Sequence, residues 1–202
     1  MRMFVAVVPP PDVVEHLDEF LEVRRASAAY RWAQVEQLHV TLAFLADVPE
    51  RKLDDLVERL GRAASRRHAF AATVAGGGAF PNVARARVLW AGLDLDDDGR
   101  TELARMATGA RAAASRAGVP VDGQRFRPHI TVARLGHPKE VTSWVRLLDA
   151  YRGPTWTVDR MTLVASYLGE GLRRRPRYEA VEEFALSGPS RQGCGKGHAG
   201  RR

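Results

Sequence analysis

The spacing of hydrophobic positions changes repeatedly along the chain, and each change marks an element. Met3 to Val8 (MFVAVV) is an unbroken apolar run of strand length and reads as a buried strand. Three prolines and Asp12 end it and open a helix that carries Val13, Leu17, Phe20 and Leu21 on one face. Leu38 to Leu45 (LHVTLAFL) predicts a strand, and Leu53, Leu56, Val57 and Leu60 fall at helical spacing. Ala69 to Ala75 and Ala86 to Leu93 predict two further strands. The series then recurs. A helix is predicted over about Arg100 to Ala117, with Leu103, Met106 and Ala110 on one face. A strand follows at Pro128 to Leu135, then a helix with Val141, Trp144, Val145 and Leu148. Strands at Trp156 to Leu168 and Tyr178 to Leu186 close the series.

Both halves thus read helix, strand, helix, strand, strand. Their second elements carry His39-Val40-Thr41-Leu42 and His129-Ile130-Thr131-Val132, and the motif recurs after 90 residues, close to the spacing of the flanking elements. That is an internal duplication of a whole unit. The predicted fold is mixed α/β (α+β) and bilobal over residues 1–186. One lobe is expected from each repeat (12–93 and 100–186), the two facing each other across a central cleft about an approximate two-fold axis. Residues 187–202 are expected to be a disordered basic tail.

Composition narrows the setting. The 202 residues are 45% hydrophobic, enough for an ordinary core, and no apolar run is long enough to span a bilayer. The opening MRMFVAVVPPP is broken by proline too early for a secretory signal, so a cytoplasmic protein is expected. The single cysteine, Cys194, has no disulfide partner. The net charge is +7, but Arg191, Lys196, Arg201 and Arg202 of the tail contribute four of those charges. The body is only mildly basic, which predicts a weak, salt-sensitive grip on long nucleic acid.

The chemistry lies in the two HxTx strands. Side chains i and i+2 share one face of a strand, so His39 goes with Thr41 and His129 with Thr131. If the lobes face each other, two imidazoles and two hydroxyls converge. An imidazole of ordinary pKa, about 6.5, lets one ring be neutral while the other is protonated. Displacement at phosphorus needs that pair: a base on the attacking oxygen and an acid on the leaving oxygen. Threonine hydroxyls can donate to the non-bridging oxygens. No carboxylate or cysteine cluster suggests a metal, so neither metal nor cofactor is expected. Five residues after the histidines stand Phe44 and Arg134, an aromatic aligned with a cation. Arg134 suits a bidentate phosphate contact, and Phe44 suits stacking on a base or ribose. On a flat strand their odd offset turns them away from the histidine face, so each needs a bulge or a strand end.

The chain resembles the two-histidine (2H) phosphoesterase superfamily, and within it the RNA 2',3'-cyclic phosphodiesterase branch, also called the 2'-5' RNA ligase family. The resemblance rests on MFVAVVPP, RW ahead of the first motif, LHVTLAFL, GAFPN, RVLWAGL, FRPHITVAR and SYLG, and covers about residues 1 to 186. It implies opening of an RNA 2',3'-cyclic phosphate to a 2'-phosphate without metal, with 2'-5' ligation as the reverse reaction, and the chain is expected to act as a monomer. It also implies His39 as proton donor, His129 as proton acceptor, and Thr41, Thr131, Arg134 and Phe44 as substrate-binding residues. Pseudo-symmetry leaves the donor and acceptor labels exchangeable. Ala46 departs from the family's usual glycine and implies a slightly different turn.

Two other readings use the same features. One is a phosphodiesterase for small cyclic nucleotides or 2'-5' oligonucleotides. The other is an RNA-binding module without chemistry, against which two intact HxTx motifs weigh. His16, His68, His137 and His198 have no partner in the repeat and read as ordinary histidines. Gly76-Gly77-Gly78 lacks the pattern of a phosphate loop and reads as a turn beside the cleft, with Phe80 and Pro81 at the rim. Asp94, Asp96, Asp97 and Asp98 read as a solvated helix start. Trp32 and Trp90 read as buried tryptophans.

Overall fold

The computed structural model describes residues 1–123, 125–169 and 176–189. Its elements are β1 (Met3–Val7), α1 (Pro11–Arg25), β2 (Arg31–Trp32), β3 (Val40–Leu45), α2 (Leu53–Ala64), β4 (His68–Phe80), β5 (Ala86–Asp94), α3 (Asp97–Arg116), β6 (Ile130–Lys139), α4 (Thr142–Asp149), β7 (Arg152–Val158), β8 (Arg160–Tyr167), β9 (Arg177–Ala185) and β10 (Ser187–Pro189). Local chemistry explains the helix ends. Pro11 opens α1, where its missing N–H has no partner to lose, and Arg24 and Arg25 end it against the negative pole of the helix. Asp96 caps α3 by accepting the Gly99 N–H at 2.7 Å, as a helix start should. Helix α2 buries Leu56, Leu60 and Ala64, one every fourth residue, and so seats a single stripe on the sheet.

The strands form one sheet in the order β10-β4-β5-β6-β3-β1-β8-β9, with β2 on β6 and β7 on β4. Pairing is antiparallel except between β10 and β4. The sheet has two groups of four long strands. Group one is β3, β1, β8 and β9, packed by α2 and α3; group two is β6, β5, β4 and β7, packed by α1 and α4. They meet at a single register pair, Val40 with Ile130. Most buried apolar side chains form one core under the helices, and a smaller cluster of Phe4, Ala6 and Val164 lies with Phe44 and Tyr178.

The mixed α/β class is as expected. The composition of the lobes is not. Each strand group takes two strands from each half of the chain, because β8 returns to pair with β1 (Met3 with Ala165) while β4 pairs with β7 (Ala72 with Trp156). The ranges 12–93 and 100–186 therefore do not each make a lobe. The run Trp156 to Leu168, read as one strand, breaks at Asp159 into β7 and β8, which belong to different groups. The glycine triplet lies inside β4, where the register slips between Val74 and Gly77 and Gly76 takes φ +77°. Gly78 is required there for another reason: the Trp90 ring covers it, and a Cβ would stand 2.1 Å from Cζ2. The tail boundary also moves. Ser187–Pro189 adds to β4, and the Ser187 N–H donates to the Arg67 carbonyl at 2.7 Å. Residues 190–202, with Cys194 and His198, lie outside the described residues. Among the described residues no helix is long and apolar enough to cross a membrane.

Candidate active site

The join between the two strand groups is where the motifs meet. Val40 and Ile130 face each other across it, flanked by His39 and Thr41 on one strand and His129 and Thr131 on the other. Val40 and Ile130 are fully buried, whereas the four polar residues are half-buried. The alternation expected of a strand thus holds at both motifs, with the aliphatic side anchored and the polar side on the cavity.

Past each motif the alternation is broken. On β3 the register with β1 runs Ala6 with Thr41 and then Val5 with Ala43, so Leu42 is an extra residue. On β6 the register with β5 runs Trp90 with Thr131 and then Leu89 with Ala133, so Val132 is extra. Consecutive residues Leu42–Ala43 and Val132–Ala133 are buried as a result. Each bulge restores an odd offset to the histidine face. Phe44 and Arg134 therefore line the same cavity as the histidines.

The two imidazoles are held alike. His39 Nδ1 lies 2.7 Å from the Gln37 carbonyl, and His129 Nδ1 lies 2.7 Å from the Arg127 carbonyl, each two residues upstream. A carbonyl only accepts, so Nδ1–H donates in both, and Nε2 is left for the substrate. Aromatic rings fix the planes. Phe4 stacks on His39 at 4.5 Å between centroids, and Tyr178 meets it edge-on at 5.5 Å. Phe80 meets His129 edge-on at 4.9 Å, with Trp90 tilted behind at 6.1 Å.

Both rings are biased toward the neutral form. Burial pushes His39 down to about 4, against the opposing pull of the Gln37 carbonyl, with His129 and Arg134 adding to the fall. Burial likewise lowers His129, and Arg134 lowers it further. A cavity that disfavours a second positive charge is one that an anion completes: a bound phosphate removes the repulsion and favours imidazolium.

The cavity encloses about 370 Å³ and brings together all six residues singled out from the sequence: His39, His129, Thr41, Thr131, Arg134 and Phe44. It adds Arg2, Arg31, Phe4, Gln37 and Tyr178, which sequence reasoning missed. Arg2 lies 4.5 Å over the Phe44 ring, and Arg31 sits beside Arg134 in the β2–β6 pairing. Three arginines and no carboxylate line the described walls. The other described histidines are engaged or peripheral. His16 bonds the Tyr151 hydroxyl, His68 contacts Asp98, and His137 is exposed. Trp32 is buried, donates to the Ala28 carbonyl and reaches the cavity wall.

A sheet joined at paired HxTx strands, with both imidazoles turned onto one arginine-lined cavity, defines a phosphoesterase of the two-histidine class. The chain belongs to the LigT-like phosphoesterase family, which matches residues 7–90 and 93–173. It is similar to the RNA 2',3'-cyclic phosphodiesterase of Thermus thermophilus, with 31% identity over 93% of this chain and 91% of that protein. It is also similar to the protein of that name from Escherichia coli, with 29% identity over 92% of this chain and 97% of that one. A crystal structure of a Thermus thermophilus protein superposes with a TM-score of 0.73 at 31% identity, covering 93% of this chain and 99% of that one. Escherichia coli LigT complexed with 3'-AMP gives 0.72 at 28% identity, covering 92% and 98%.

Proposed function

We propose that the protein hydrolyses RNA 2',3'-cyclic phosphate ends to 2'-phosphomonoesters, with His39 and His129 as the catalytic pair and no metal. The observation that carries this reading is the matched pair of imidazoles: each donates Nδ1–H to a carbonyl two residues back, and each turns Nε2 to one cavity with two threonines and Arg134. The relatives' names support the same substrate class.

In the forward reaction the His129 Nε2 takes a proton from water as the water oxygen bonds to phosphorus. The phosphorus bond to the 3' oxygen breaks, and the His39 Nε2–H protonates that oxygen, leaving a 3' hydroxyl and a 2'-phosphate. The hydroxyls of Thr41 and Thr131 donate to the non-bridging oxygens, and Arg134 supplies the countercharge. Phe44, held under Arg2, offers a face to the terminal base or ribose. Turnover leaves His39 neutral and His129 protonated, so the pair resets by exchanging protons with solvent. With the 5' hydroxyl of a second RNA in place of water, His129 takes the proton of that hydroxyl as its oxygen bonds to phosphorus, and His39 protonates the departing 3' oxygen, which leaves a 2'-5' phosphodiester and is 2'-5' ligation.

The test is a short RNA with a 2',3'-cyclic phosphate end, incubated with EDTA-treated protein, with the 2'- and 3'-phosphate products resolved. A 2'-phosphate formed by the parent and lost in both His39→Ala and His129→Ala is the expected result. A 3'-phosphate product, or turnover that needs added metal, overturns it.

A further inference from the structure

A second, larger cavity of about 740 Å³ lies between α2 and α3, away from the histidines. Its walls carry Arg59, Arg62, Arg66, Arg67, Arg105 and Arg116, and no lysine. The floor is small: Ala63, Gly109 and Ala112, with the helices close enough that a Cβ on Gly109 would meet the Ala63 methyl at 3.5 Å. Long guanidinium side chains thus rise on both sides of a shallow apolar channel.

Acids near the channel neutralise only part of it. Asp55 holds Arg59 at 2.8 Å, Glu58 holds Arg62 at 2.7 Å, and Glu102 takes Arg105 at 3.0 Å and Arg67 at 3.4 Å. Glu102 is 1% exposed and also accepts the His68 N–H, so Arg67 and Arg105 are fixed from beneath by a buried carboxylate. Arg66 and Arg116 are exposed and have no acid partner among the described residues. Six arginines against three acids leave an excess of positive charge along the channel.

We infer that the α2–α3 channel is a second RNA-binding surface, which holds the sugar-phosphate backbone of a strand longer than the terminal nucleotide. The inference rests on the reading of RNA as substrate. Guanidinium forks match phosphate oxygens pairwise, and the small apolar floor leaves room for a ribose to lie between the two rows. Helices α2 and α3 pack on the strand group that carries His39, with Val40 and Leu42 in the core beneath them. Channel and active-site cavity are therefore on different sides of one strand group, and only a strand long enough to pass its edge reaches both. The channel adds a dependence on RNA length to the weak, salt-sensitive grip that the mildly basic body predicts.

The experiment compares a single-stranded RNA of about 20 nucleotides with a dinucleotide, both ending in a 2',3'-cyclic phosphate, over a salt series. The full-length parent is run beside Arg66→Ala/Arg116→Ala, with Arg24→Ala/Arg146→Ala on the other strand group's helices as the charge control. The channel variant is expected to bind the long RNA about tenfold more weakly and to lose about 1.4 from the salt slope, ~0.7 per phosphate contact on a single strand. Its turnover of the dinucleotide stays at the parent value. Unchanged long-RNA affinity, or an equal loss in the charge control, overturns the inference. So does weakened binding of a polyglutamate peptide with RNA binding intact. Binding is also read with a 3'-hydroxyl RNA. If the parent turns over neither cyclic end yet the channel variant still weakens that binding, the active-site reading fails and the channel stands.

Discussion

Leu42 and Val132 occupy the same place in two different strands: each is the extra residue of a bulge, three positions after a motif histidine. The bulges, not the motifs alone, carry Phe44 and Arg134 onto the cavity. Deleting Val132 is expected to return β6 to regular alternation and turn Arg134 away. The deletion should then lower kcat/KM by about as much as Arg134→Ala, on the order of 10²-fold, which is the usual scale for a lost transition-state donor. Steady-state kinetics check this, with thermal melting to show that both variants are folded. A deletion variant that keeps parental kcat/KM sinks the argument.

The kinetic pH profile should be displaced to the acid side. In the free protein both imidazoles are lowered by burial and by Arg134, so the bell of kcat/KM is expected to centre below 6.5. Bound phosphate opposes that fall by favouring imidazolium, so the kcat profile should centre at higher pH than that of kcat/KM. Coincident profiles would show that the anion does not couple to the pair.

Folding stability should titrate with His39. Its folded pKa, about 4, lies below the unfolded value of about 6.5, so between these the unfolded chain binds more protons. Stability is then full above pH 6.5 and is lost as pH falls toward 4. The loss from this group is on the order of 2–3 kcal/mol. Denaturant melts at both pH values should show a smaller fall for His39→Gln than for the parent. An equal fall assigns the acid sensitivity elsewhere.

Phe4 is 4% exposed and its ring lies flat on His39. Phe4→Leu keeps most of the volume and should cost less than about 1.5 kcal/mol, whereas Phe4→Ala should cost about 3–5 kcal/mol. Removing the ring frees the imidazole plane, so Phe4→Leu is expected to lower kcat more than it changes KM. A kcat equal to the parent's would leave Phe4 a core residue only.

The site was legible in the sequence wherever local geometry decides it. His39 with Thr41 and His129 with Thr131 follow from two-residue alternation. The odd offsets of Phe44 and Arg134 demanded the bulges that occur. What the sequence hid is set by pairing between distant strands. Nothing near Trp156 to Leu168 says that β7 joins β4 while β8 joins β1. Phe4 and Tyr178 were hidden for a related reason: an unbroken run such as MFVAV reads as core on both faces, and here one of those faces meets His39. A signal was present, since a strand with no polar alternation needs a cover on each side. Gln37 and Arg127 act through their carbonyls, which every residue carries, so no side-chain motif could mark them.

The exchange of strands between the two groups has a consequence for cutting the gene. A break in the loop between β5 and α3 yields one fragment with β1 to β5 and another with β6 to β10. Neither holds the four strands of one group, so each fragment is left with open sheet edges and half a core. Neither should fold by itself, and the two histidines should come together only when both polypeptides assemble. The repeat visible in the sequence is thus not a pair of autonomous modules but two interleaved parts of one cooperative unit.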